Sequence, residues 1–96
     1  MSYKFQTTFW QDFSIADAFG NDAIKDTFNR AFKEWKTDLV YVTELAIVMN
    51  WKCWFWYDKN DHERSKLYAD YYYQVHEWCL DNLKGKDLEY YIKTTD

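Results

Sequence analysis

The 96-residue chain has no proline and only two glycines, Gly20 and Gly85. A β-sandwich needs frequent tight turns and draws on both residue types, whereas helices joined by short connections need neither. Cysteine is equally scarce. Cys53 and Cys79 are the only two, too few for a disulfide framework, and they are expected to stay reduced and unpaired in a reducing compartment. A basic excess is also missing. Twelve Lys and Arg against 16 Asp and Glu give a formal charge of −4, which argues against a general nucleic-acid footprint. The opening MSYKFQTTFW lacks the apolar core of a secretory signal, so the chain reads as cytoplasmic. There is no internal repeat, linker or low-complexity stretch, and residues 1–96 read as a single helical domain.

What the chain has is aromatic mass. Six Trp, nine Tyr and seven Phe make up 23% of the residues. Each buried ring removes about 150–250 Å² from water, so a core is within reach without disulfides or metal.

The longest apolar stretch, LVYVTELAIVMNWKCWFWY (39–57), is the centre of the reading. At 100° per residue, Val42, Leu45, Ala46, Met49, Cys53 and Trp56 fall on one stripe, and Val40, Ile47, Trp51 and Trp54 fall on another. Two apolar faces describe a helix packed between other elements. Glu44, Asn50 and Lys52 within the run exclude a membrane span. No Gly, Pro or Asn-Gly turn divides it into two strands.

Around it the sequence predicts an all-α bundle of about four helices, near 8–19, 21–36, 38–58 and 61–84, with the third buried at the centre. Thr8 with Gln11 and Asn60 with Glu63 have capping-box spacing, and Asn21 and Asp38 are candidate caps. Gly20 and Gly85 are candidate helix ends. Phe9, Phe13, Ala16 and Phe19 line the first helix. Ile24, Phe28, Ala31, Phe32 and Trp35 line the second. Tyr68, Tyr71, Val75, Trp78, Cys79 and Asn82 line the fourth. Tyr3 and Phe5 alternate with polar residues, which allows a short terminal strand paired with 88–94; otherwise 87–92 adds a last helical turn.

Two segments, TTFWQDFSIADAFGNDAIKDTFNRAFKEWK (7–36) and NLKGKDLEYYIKTTD (82–96), joined by TELAIVMNWKCW, resemble a group of small proteins of Gram-positive gut bacteria. Those proteins are often encoded on integrative or conjugative elements. The resemblance brings no established activity and no catalytic residues. It implies a cytoplasmic bacterial protein carried as mobile cargo, a class that includes blockers of host restriction and CRISPR systems.

Candidate chemistry is thin. His76 and Cys79 are spaced to share one metal ion, but the remaining N/S donors, His62 and Cys53, lie far off in the predicted helices, so no metal and no cofactor are expected. Glu44 is a lone carboxylate without a base, nucleophile or oxyanion donor beside it, so no catalytic site is assigned. Its direction between the two stripes predicts partial exposure or a pairing with Lys or Arg. Lys25, Arg30, Lys33 and Lys36 form a basic face that could touch phosphates, interrupted by Asp26 and Glu34. Asp58, Asp61 and Glu63 form a small acidic group that could face a protein.

The aromatic surplus has two readings, a core of large rings or an interface enriched in Trp and Tyr. Ile47, Trp51 and Trp54, with Tyr73 and Leu80 pointing away from the main stripe of the fourth helix, are the candidate interface. The second stripe is expected to be covered by another protein, including a second copy in a homodimer, or else by the terminal segments. The overall expectation is a non-catalytic protein-interaction module of a regulatory or inhibitory kind. Nucleic-acid binding and a small enzyme are the alternatives.

Overall fold

Eight consecutive residues of one helix, Val42 to Met49, are buried, and the rest of the chain is arranged to cover them. In this computed structural model, which describes residues 3–96, that helix is α3 (Leu39–Asp58). The others are α1 (Phe9–Phe19), α2 (Asn21–Trp35), α4 (His62–Asn82) and α5 (Lys86–Thr95). Among the described residues there is no strand.

Asp38 starts α3, its carboxylate accepting from the Tyr41 amide at 3.1 Å. α4 turns back along α3 and makes the most extensive pairing in the fold. It presents Tyr68, Tyr71, Val75 and Cys79 to the core. The pairing is pinned near the turn, where the Ser65 hydroxyl donates to the Cys53 carbonyl at 2.8 Å. α2 contributes Ile24, Phe28 and Ala31, and Phe28 stacks on Tyr71 with ring centres 4.1 Å apart. α1 contributes Phe9, Phe13 and Ala16. Offset-stacked and edge-on ring pairs of this kind add roughly 0.5–1.5 kcal/mol beyond the area they bury.

Gly20 sits at φ 117°, where a side chain would be strained, and joins two helices through one residue. Its N–H closes α1 on the Ala16 carbonyl, and its carbonyl accepts from Ile24 N–H. Asn21 is therefore the first residue of α2 rather than its cap. The two expected capping boxes are also replaced. The Thr8 hydroxyl donates to Asp12 at 3.0 Å and does not cap α1. Asp61, one residue past Asn60, caps α4 by accepting from Arg64 N–H at 3.0 Å. Asn60 instead takes the left-handed turn conformation, φ 64°.

The helix count is five, not four. The tail expected as a strand or one turn is a ten-residue helix. Gly85, at φ 59°, precedes α5 instead of simply ending α4. Asp87 and Glu89 lie in its first turn and Lys93 in its last, the arrangement the helix dipole favours. Its inward residue Tyr91 is fully buried. Tyr3 and Phe5 have no strand partner. They lie across α3, where Phe5 meets Trp51 edge-on at 5.3 Å.

Candidate functional site

Burial on every side obliges α3 to satisfy its own polar groups. Glu44 is fully buried, which corrects the expectation of partial exposure or a Lys or Arg partner. Its carboxylate accepts from the Tyr3 hydroxyl at 2.9 Å, the Gln6 amide at 2.9 and 3.0 Å, and the Thr7 amide at 2.9 Å. An acid in the core thus serves as the anchor of the N-terminal segment. Desolvation and the Glu44 contact push the Tyr3 hydroxyl well above the usual tyrosine range.

Two turns of helix further on, Lys52 is also buried. Its ammonium pairs with Asp17 at 2.8 Å and donates to Ser14 Oγ at 2.8 Å. It lies 4.3 Å from the Trp10 ring centre. Asp17 also accepts from the Tyr68 hydroxyl at 2.6 Å and the Trp56 indole at 3.2 Å. Arg64 donates to the Asp17 carbonyl and to the Asn21 side chain. A serine against a lysine can signal nucleophilic catalysis, but here the lysine nitrogen is engaged by the Asp17 carboxylate at 2.8 Å. Ser14 itself donates to the Trp10 carbonyl at 2.7 Å. The cluster ties α1, α3 and α4 together. Asp17 and Lys52 were not singled out from sequence. The available signal was a lysine in the middle of the most apolar stretch, which demanded a carboxylate partner.

The expected metal donors are dispersed. His76 Nδ1 meets the Tyr91 hydroxyl at 2.8 Å, Cys53 meets Ser65, and His62 lies against Tyr57. No group of three or more His, Cys, Asp or Glu residues is placed to hold a metal ion among the described residues. Both cysteines are free thiols. Burial pushes the Cys79 thiol up to about 12.

The basic face of α2 is broken in space as well as in sequence. Lys25 shares a recess with Asp22, Glu63 and Asp70, and Arg30 and Lys33 share one with Glu34. Lys36 folds over the Phe32 ring. Of the acidic group, Asp61 serves as a cap and Asp58 and Glu63 are exposed. The fold adds Asp22 to Asp61 and Glu63 around Phe19.

The candidate interface divides. Ile47 is 6% exposed and belongs to the core, so its assignment to a contact surface is corrected: the chain's own segments cover it. Trp51 is partly covered by Phe5 and Trp10, whose rings meet it edge-on. Trp54, at 58% exposure, stands free with Phe55 and Tyr57 beside it. Trp54 meets Tyr57 at 5.6 Å, and Phe55 meets Trp56 at 5.1 Å. Trp54 and Tyr57 form an aromatic face at the C-terminal end of α3, and Phe55, set against Trp56 and Lys59, adds an exposed ring on an adjoining side of the helix. Tyr73 and Leu80 are exposed on α4. Tyr73 has its ring contact with Tyr72 rather than with the α3 face.

A second apolar surface escaped the sequence reading. Phe9, Ile15, Phe19, Ala23, Arg30 and Trp35 are among the residues lining a groove of about 420 Å³ between α1 and α2. Phe19, expected inside, is 79% exposed. Gly20 ends α1 directly after it, so no following turn covers the ring. No helix of the described residues is long and apolar enough to cross a membrane. Comparison with known proteins finds no match: no protein-family model, curated protein or solved structure matches this chain.

Proposed function

We propose that this chain is a non-catalytic protein-interaction module that binds another protein through the aromatic face at the C-terminal end of α3. The observation that carries this reading is the exposure of Trp54, Phe55 and Tyr57 together at the end of a helix whose middle is buried in the core. Tryptophan and tyrosine dominate the binding energy of protein interfaces, because a large rigid ring is desolvated at little entropic cost. Three such rings on one helix end expose an area on the order of a few hundred Å², the scale at which apolar patches on small proteins are functional. The absence of a matched base and nucleophile in the Asp17–Lys52 cluster supports binding over turnover. The interleaving of acids with Lys25, Arg30 and Lys33 supports a protein partner over a phosphate backbone. On this reading the chain acts in the cytoplasm as a regulatory or inhibitory accessory protein, of the kind that mobile elements carry against host defence nucleases.

The test is capture from bacterial cytoplasm, with and without nuclease treatment, by the wild-type chain and by Trp54→Glu, each verified as folded by circular dichroism. Retention of a protein by the wild type and its loss with Trp54→Glu is the expected result. Recovery of nucleic acid alone, released at high salt, contradicts it in favour of phosphate binding. Saturable turnover of a metabolite contradicts it in favour of an enzyme.

A further inference from the structure

The N-terminal segment, α3, α4 and the end of α5 line a partly open cavity of about 270 Å³. Its walls include three aromatic rings from three different parts of the chain, Tyr3, Trp51 and Tyr72, together with Ile47, Asn50 and Asp96. Among the described residues no lysine or arginine lines it. Asp96 brings an exposed carboxylate to this wall.

A second negative group lies behind the rings. The Tyr3 hydroxyl donates to the buried Glu44, whose other partners are the Gln6 and Thr7 amides. All of these donors are neutral, so dipoles spread the charge of Glu44, and among the described residues no cation is paired with it. The same bond fixes the Tyr3 side chain where it lines the cavity.

Aromatic rings carry negative potential on their faces, and several rings around one small space select a cation, above all one too alkylated to demand water. An anion would meet the Asp96 carboxylate with no lysine or arginine among the described lining residues to offset it, and a neutral apolar ligand would leave Asp96 unused. The volume lies just below the range of about 300–1,000 Å³ usual for drug-sized ligands, which suits a compact head group and excludes a nucleotide. We propose that this cavity binds a small organic cation of the alkylated-ammonium class, with Tyr3, Trp51 and Tyr72 as walls and Asp96 as counter-charge. The proposal does not depend on the role given to Trp54.

Choline and its neutral isostere 3,3-dimethylbutan-1-ol are the probes, titrated into the full chain and followed by the Trp51 indole and the Thr94 and Thr95 amide signals in NMR spectra. Choline is expected to shift these signals saturably and the alcohol to leave them in place. Asp96→Asn, a change at an exposed residue, is expected to weaken choline binding by about tenfold. Trp51→Leu is expected to abolish it. If Trp51→Leu fails to fold, Asp96→Asn decides alone. A trimethyllysine peptide run in parallel separates the sources: tighter binding than choline points to a modified protein tail, weaker binding to a free metabolite. Equal binding of the alcohol, shifts that never saturate, or full affinity in Asp96→Asn would overturn the proposal.

Discussion

Tyr3 and Glu44 stand 41 positions apart in the chain, and the phenol of one donates to the carboxylate of the other at 2.9 Å. Glu44 lies in the fully buried part of α3, so the bond draws the N-terminal segment onto the core. Removing the phenol oxygen, Tyr3→Phe, is expected to cost about 1 kcal/mol, the net worth of one such bond. Glu44→Gln turns an amide group toward the Gln6 and Thr7 donors and is expected to cost about 2 kcal/mol or more. Urea unfolding followed by tryptophan fluorescence measures both. Additive costs in the double variant, with no coupling, would contradict direct contact.

The Lys52–Asp17 pair is buried on both sides. A buried pair contributes little net stability over a well-packed apolar replacement, but loss of one partner strands the other. Asp17→Asn is expected to destabilise by about 3 kcal/mol. Lys52→Met should cost less, because Tyr68 and Trp56 still donate to Asp17. The reverse order in thermal or urea unfolding would contradict this account of the cluster.

Alkaline pH should unfold the chain. Burial, and for Tyr68 the contact with Asp17, raises the hydroxyls of Tyr68 and Tyr91 above their ordinary value of 10.0. Burial raises the Cys79 thiol from 9.0 to about 12. These groups hold their protons more tightly folded than unfolded. The unfolded chain therefore binds fewer protons once the pH exceeds their ordinary values. Their stabilisation is complete below about pH 9 and is lost as the pH climbs toward 12. Absorbance at 295 nm, which follows tyrosine ionisation, should show a late phase coincident with loss of helix. A single ordinary titration of all nine tyrosines with the helix intact would contradict it.

The helical class and the buried centre were legible because α2 carries a clear 3.6-residue stripe, because α3 is a long apolar run with no turn residue to divide it, and because Pro is absent. Asp38 was legible as a cap because its spacing to the next apolar run leaves one choice. The fifth helix was not. It buries one residue, Tyr91, too little to make a stripe, and Gly85 reads equally well as an end or a beginning. Glu44 was misplaced because a helical wheel gives its direction but not what lies there: the cover comes from residues 3–7, which carry no helical periodicity. The same cover removed Ile47 from the expected contact surface and left Trp54 on it. Phe19 fits an inward stripe by spacing, yet the one-residue turn at Gly20 leaves it outside.

The most direct test of protein binding through the α3 face is photo-crosslinking in the host cytoplasm, with benzoylphenylalanine replacing Trp54 in one chain and Gln11, an exposed α1 residue, in a control. The expected result is a covalent adduct to a discrete protein, or to a second copy of this chain, at position 54 and none at position 11. No adduct at position 54 in a chain shown to be folded, or the same adducts at both positions, would contradict it.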